Sequence, residues 1–143
     1  PDHLDAALSL YRDRFEPSDV LAKPHVMAAI NVIAADTDEE AALLASSMDQ
    51  SFVRLRSGNP GKLPPPVPGY RDTLPAPALA MLEHMRQVSA IGSVATVRQR
   101  LAAFQQRTRA DELIVSGSTF DPALRRRSLE LTMQAAESLA EPA

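Results

Sequence analysis

The chain contains no cysteine, and this absence removes several kinds of chemistry at once. None of its 143 residues can form a disulfide, act as a thiolate nucleophile or bind a metal through sulfur. No apolar run approaches the roughly 20 residues that span a bilayer, and no signal-peptide pattern is present. We therefore expect a cytoplasmic protein with no membrane partner.

An excess of positive charge is also missing. The chain has 15 lysines and arginines against 18 aspartates and glutamates, a formal net charge of −3, which argues against a general nucleic-acid partner. The three histidines, His3, His25 and His84, lack the spacing of metal ligands. No acid–base pair, nucleophile set or phosphate-binding loop is complete, so the sequence predicts no metal site and no catalytic residue.

Alternating helical and extended patterns organise the chain. Residues 2–15 repeat apolar side chains at helical spacing, and residues 25–36 form a nearly continuous apolar run, typical of a strand buried on both faces. Thr37 and a cluster of acidic residues then predict the start of a long helix, with Gly58 as a stop signal. One domain of the α/β class follows from this order.

Proline and glycine are concentrated in one stretch, residues 57–77, which holds seven of the 12 prolines and three of the five glycines. Proline lacks a backbone donor and breaks helices, so we expect an irregular insertion loop. A segment of this length is either a lid over a site or a spacer, and the residues leave both interpretations open.

The remaining sequence predicts a short helix at about 77–88, a very short strand at 89–93, a helix capped by Ser93, a strand at 113–115 and a last helix capped by Asp121. The buried face of the last helix is expected to include Leu124, Leu131, Ala135 and Leu139. Right-handed crossovers between consecutive parallel strands would place the helices on one side. Three strands leave open edges and an uncovered face, so the sheet is expected to be completed by more of the same chain or by another copy.

Three segments, in this order, resemble the C-terminal part of luciferase-like flavin-dependent monooxygenases: "NVIAADTDEEA" (31–41), "IGSVATVRQRLAAF" (91–104) and "DELIVSGSTFD" (111–121). The resemblance implies that residues 1–143 are a single partial domain, the C-terminal portion of a (β/α)8 TIM barrel, about strands six to eight with their helices. Val94 and Ala95 replace the proline and glutamate of the family's "GSPETV"-like turn. A complete barrel needs about 250 residues, so strands one to five lie outside this chain.

The resemblance also implies where a cofactor would bind, because barrel active sites lie at the carboxyl ends of the strands. Asn31 is the one polar side chain within its apolar run; it could orient a flavin or substrate, or be a buried amide satisfied by nearby backbone. Ser116, Gly117 and Ser118 end the last strand and could contact flavin, or form an ordinary strand-to-helix turn.

The implied parent is an enzyme that oxidises a small organic substrate with O2 and a reduced flavin, either flavin mononucleotide (FMN) or a deazaflavin coenzyme. We expect the isolated chain to bind no cofactor and to be inactive, because most of the site would be missing. The alternative is a non-catalytic half-barrel module that self-associates as a homodimer through its open sheet edges. In either case we expect a homo-oligomer.

Overall fold

The computed structural model describes residues 2–137 and forms an α/β structure with five α-helices and a three-stranded parallel sheet in that range. In chain order the elements are α1 (Asp2–Asp13), β1 (Met27–Ala34), α2 (Asp38–Arg56), a 3₁₀ turn (Tyr70–Thr73), α3 (Ala76–Arg86), β2 (Ser89–Gly92), α4 (Val94–Thr108), β3 (Glu112–Ser116) and α5 (Pro122–Glu137).

Side-chain caps begin three of the helices at the residues that the sequence predicts. The Thr37 hydroxyl accepts a hydrogen bond from the backbone N–H of Glu40, and the Ser93 hydroxyl accepts one from Thr96. Asp121 accepts from the N–H of Ala123 at 2.7 Å. Each cap satisfies a donor that the helix itself leaves unpaired and stabilises its helix by about 1 kcal/mol.

The strands do not lie in chain order, and this corrects the expected arrangement of three consecutive barrel strands. The order across the sheet is β2-β1-β3, with β1 in the middle and parallel to both neighbours. The connection from β2 to β3 therefore passes over β1. Helices consequently pack on both faces of the sheet, not on one side as expected.

Two apolar clusters hold the layers together. On one face the alternate β1 residues Ala28, Ile30 and Val32 pack against α4 and α5, with Leu4 and Leu8 of α1 at the margin. On the other face Ile33 is fully buried and packs against α2. Burial of one such aliphatic side chain contributes about 1.5–3 kcal/mol.

The first half of β1 is buried on one face only, and the expectation that both faces are buried is wrong there. Met27 and Ala29 are exposed, while Ala28 and Ile30, which alternate with them, are buried. The exposed face continues onto β3, where Ile114 is exposed. The cause is that α2 covers only the carboxyl end of this face, near Ile33, and no other element among residues 2–137 lies over the rest.

The proline-rich segment is irregular up to the 3₁₀ turn and is held along α2. The Gln50 side chain donates to the backbone oxygen of Pro65 at 2.9 Å, and the N–H of Val67 donates to the Ser46 hydroxyl at 2.8 Å. These bonds give the extended backbone the partners that its own proline-rich sequence cannot supply.

The last helix, α5, packs on the sheet through the face that the sequence predicts. In α5, Leu131 and Ala135 are buried as expected and Leu124 packs at the edge of the second cluster. Leu139 lies outside the described residues.

None of the helices within residues 2–137 combines the length and apolar character needed to cross a membrane.

Candidate functional site

Asn31 and Ser116, two of the predicted site residues, are direct neighbours across the sheet. They are paired in the β1–β3 register, and the Ser116 hydroxyl donates a hydrogen bond to Asn31 Oδ1 at 3.0 Å. Residues paired in this way in a parallel sheet project from the same face. Asn31 is partly buried and Ser116 is exposed, so the pair is open to solvent at the carboxyl end of β3.

The bond leaves the amide nitrogen of Asn31 available. Asn31 Oδ1 accepts from Ser116, while Nδ2 makes no hydrogen bond to any of residues 2–137. An amide nitrogen carries two N–H donors and an amide oxygen two lone pairs. The pair can therefore bind a carbonyl-bearing ligand, but it cannot take up a proton near neutral pH.

Ser89 extends the pair to a row of three polar residues. It is the partner of Asn31 in the β1–β2 register, so Ser89, Asn31 and Ser116 lie side by side across the three strands. Ser89 is 4% exposed, and its hydroxyl has no hydrogen-bond partner in the described structure. Ser89 was not among the predicted site residues, because the register that brings it beside Asn31 cannot be predicted from a four-residue strand.

Gly117 is explained by packing against β1. A Cβ atom at this position would overlap the backbone oxygen of Val32, so only glycine allows β3 to leave the sheet along this path. This close approach needs no ligand, and a contact between Gly117 and a cofactor stays a prediction.

Ser118 lies apart from the polar row. Its side chain is exposed and makes no hydrogen bond to the described residues, whereas the next residue, Thr119, is buried and donates to the backbone oxygen of Asp121 at 3.2 Å. The structure therefore brings Asn31 and Ser116 together and leaves Ser118 in the turn that leads to α5.

Asp38 joins the start of α2 to the β2–α4 turn at the carboxyl end of β2. Its carboxylate accepts from the N–H of Ser93 at 2.6 Å and from the Thr96 hydroxyl at 3.0 Å. The Ser93 N–H, followed by the Thr96 hydroxyl, lowers the pKa of Asp38 from its ordinary value. Gly92 has φ 151° and sits against these groups: a Cβ there would lie 2.7 Å from Asp38 Oδ1.

Asp49 and Arg86 form a buried ion pair between α2 and α3 that the sequence analysis did not single out. Arg86 Nη2 lies 2.6 Å from Asp49 Oδ2 and Arg86 Nε lies 3.2 Å from Oδ1. The Asp49 side chain is fully buried. Burial raises the pKa of Asp49, and the charge and hydrogen bonds of Arg86 oppose that rise. The two residues are 37 positions apart, and no local pattern marks them as partners.

Charged groups elsewhere have structural partners. His25 Nε2 lies 2.8 Å from Glu112 Oε1, at the amino-terminal end of the sheet and away from Asn31. Arg127 of α5 lies 2.8 Å from Asp36, and both are exposed. Among residues 2–137 no three His, Asp or Glu side chains converge as a metal site would require.

Comparison with known proteins gives relatives that match nearly the whole chain. A curated protein of Escherichia coli (strain K12) named luciferase-like monooxygenase is 41% identical over 139 residues, which are 97% of this chain and 42% of that protein. A Bacillus subtilis (strain 168) protein, the uncharacterized protein YvbT, is 39% identical over 131 residues, 92% of this chain and 39% of that protein. No family model matches the chain.

A solved structure agrees with these matches. The crystal structure of apo-MsnO8 has a TM-score of 0.77 at 25% identity, over 96% of this chain and 42% of that one. The chain thus spans about two fifths of the length of each of these three proteins. The resemblance carried by the sequence motifs is confirmed: over nearly all of its own length, this chain is similar to part of a protein named luciferase-like monooxygenase.

Proposed function

We propose that this chain is the C-terminal part of a luciferase-like, flavin-dependent monooxygenase that oxidises a small organic substrate with O2 and reduced flavin. The observation that carries the proposal is the Asn31–Ser116 pair at the strand end, in a chain 41% identical to a luciferase-like monooxygenase. A cytoplasmic location is part of the proposal and rests on the composition. The substrate class, a small organic molecule, is likewise a prediction.

The strand order refines the proposed barrel assignment. Strands in a (β/α)8 barrel are neighbours in chain order, and β1 lies directly beside β3. We therefore assign β1 and β3 as two successive barrel strands. β2 pairs only with the carboxyl-terminal half of β1, from Asn31 onward, so it is an added strand at the rim and not a barrel strand. The face with Met27, Ala29 and Ile114 would then line the barrel interior.

The residues at the strand end fit a flavin in one respect. The unused Nδ2 donors of Asn31 can bind a carbonyl oxygen of the flavin ring, and Ser116 holds the amide in position by donating to Oδ1. Bound reduced flavin supplies the electrons for reaction with O2. The chain's own role is to bind and orient; a group that moves a proton would come from the rest of the protein.

A chimera tests this proposal. This chain replaces the matching 139 residues of the E. coli relative, and binding of FMN and of a deazaflavin is measured by fluorescence, together with O2 uptake. We expect flavin binding by the chimera and none by the isolated chain, with a several-fold loss on Asn31→Ala. The control is Gln106→Ala, an exposed position on α4.

Two results would contradict the proposal. One is a chimera that folds by circular dichroism but binds neither flavin. The other is flavin turnover by the pure 143-residue chain, because the missing portion would then not be needed.

Self-association is the second candidate and rests on a different observation. Met27 is 54% exposed and Ile114 is 47% exposed on the same sheet face. They lie next to the outer edge of β3, which pairs with no strand in the described part of the chain. Such a face and edge favour pairing with another copy of the chain. Sedimentation of the isolated chain should show a dimer that Ile114→Lys converts to a monomer. Leu129→Lys, at an exposed apolar position on α5, should not.

A further inference from the structure

Beside the outer edge of β2, two adjoining cavities lie between α3 and α4. One has a volume of about 230 Å³ and its wall includes Ser89 of β2 and Arg107 of α4. The other, of about 430 Å³, includes Arg71 and two carboxylates, Asp38 and Glu83. Arg86 and Arg100 line both cavities, so the two form one groove. The proposed flavin chemistry does not use this groove.

Charge of one sign dominates the smaller cavity. Its wall holds three arginines, Arg86, Arg100 and Arg107, and no carboxylate. The chain as a whole is acidic, with a net charge of −3, so this local excess does not reflect a generally basic protein. Guanidinium groups present several N–H donors in a plane that matches the oxygens of a carboxylate or phosphate.

The three arginines differ in how many of their guanidinium N–H donors already bond to other groups of the protein. Arg86 is held by Asp49 through Nε and Nη2, which leaves Nη1 without a bond to residues 2–137. Arg107 lies over the Phe104 ring at 5.5 Å, and its Nε is 3.7 Å from Asp5. Arg100 makes no hydrogen bond or ion pair with the described residues; its charge acts on Asp38 through space.

We propose that the smaller cavity of this groove binds a phosphate-sized oxyanion, either inorganic phosphate or the phosphoryl group of a phosphate ester. Arg100 and Arg107 provide the main charge, while Arg86 Nη1 contributes a further donor. The site is separate from the proposed flavin contact of Asn31, and neither proposal requires the other.

The test is an NMR titration of the isotope-labelled 143-residue chain at constant ionic strength. Inorganic phosphate and glycerol 3-phosphate are the probes, and sodium chloride is the reference. We expect saturable shifts at the backbone amide of Ser89 and at the Nε signals of Arg100 and Arg107. Tighter binding of the ester would identify a phosphate-ester site, and equal binding would identify a site for the free anion; both support the proposal.

Substitutions distinguish a specific binding site from nonspecific attraction of an anion by surface charge. Arg100→Gln and Arg107→Gln should each weaken binding about tenfold, because each removes a charge-assisted donor group. Arg125→Gln removes an exposed charge on α5, outside the groove, and should have no effect.

Other outcomes of the titration would overturn the proposal. Shifts that follow ionic strength and do not saturate, or that Arg125→Gln reduces as much as Arg100→Gln, would show screening of surface charge only. If a glutamine variant fails to fold, Arg100→Lys keeps the charge, loses the planar donor set and should still weaken binding. Absence of saturable shifts in the unmodified chain is sufficient to reject the site.

Discussion

Ser116 of β3 donates a hydrogen bond to Asn31 of β1, 85 residues earlier in the chain, at 3.0 Å. The bond links two adjacent parallel strands and fixes the oxygen of the Asn31 amide toward β3. Its amide nitrogen is therefore the group that remains for a ligand, and the proposed flavin contact depends on this orientation.

Ser116→Ala removes that bond, and we expect a loss of about 0.5–1.5 kcal/mol in the free energy of unfolding. Ser118→Ala is the matched control, because the Ser118 hydroxyl bonds to none of the described residues, and its effect should be near zero. Urea unfolding followed by circular dichroism measures both. Equal effects of the two substitutions would contradict the assigned bond.

Gly117→Ala should destabilise the chain by about 1–3 kcal/mol, because the added methyl group would overlap the backbone oxygen of Val32 and force the strands apart. Gly61→Ala is the control: a Cβ at Gly61 meets nothing within 4 Å. Thermal and urea unfolding of both variants give the comparison. A Gly117→Ala protein as stable as Gly61→Ala would show that β3 does not approach β1 in this way.

Asp49→Ala should cost about 3–5 kcal/mol, since it leaves the largely buried Arg86 without its counter-charge. Replacing both partners by apolar residues, Asp49→Leu with Arg86→Met, should recover much of that loss. Arg127→Ala breaks an exposed ion pair with Asp36 and should cost far less, because water screens the two charges. The single variants Asp49→Leu and Arg86→Met complete the comparison. If the double variant lost as much free energy of unfolding as these two together, the two side chains would not be a coupled pair.

Asp38 gives a pH dependence with a defined sign. Because hydrogen bonds from Ser93 and Thr96 lower the pKa of Asp38 in the folded chain, its ionised form stabilises the fold above the ordinary value of 3.8. That contribution is lost as the pH falls through the lowered pKa. Asp38→Asn should therefore be less stable than the unmodified chain at neutral pH, with the difference shrinking in acid. Asp19→Asn removes an exposed carboxylate elsewhere and serves as the control. A difference that grows in acid would contradict the assigned bonds.

Local features were predictable from the sequence because their causes are local. The caps Thr37, Ser93 and Asp121 lie at the predicted helix starts, since each bonds a backbone group within three residues of itself. The apolar run around Ile33 gives the central strand for a similar reason: its length and β-branched residues suit a sheet.

Features that depend on distant partners could not be predicted. The β2-β1-β3 order arises from how α4 crosses the sheet, and both possible orders are compatible with the same alternation of helices and strands. The place of Ser89 beside Asn31 follows from that order and its register. The Asp49–Arg86 pair likewise depends on the approach of two helices.

The central claim is that this chain is part of a larger flavin protein, and the mass of the native species tests it most directly. Antibodies against residues 57–77 would isolate the protein from its own cells for intact mass spectrometry and for an absorbance spectrum of any bound flavin. Since 139 matched residues are 42% of the E. coli relative, a full-length protein would have about 330 residues, or roughly 36 kDa. We predict a species of that size. A native species of 15.5 kDa without flavin would contradict the account and leave the self-associating module in its place.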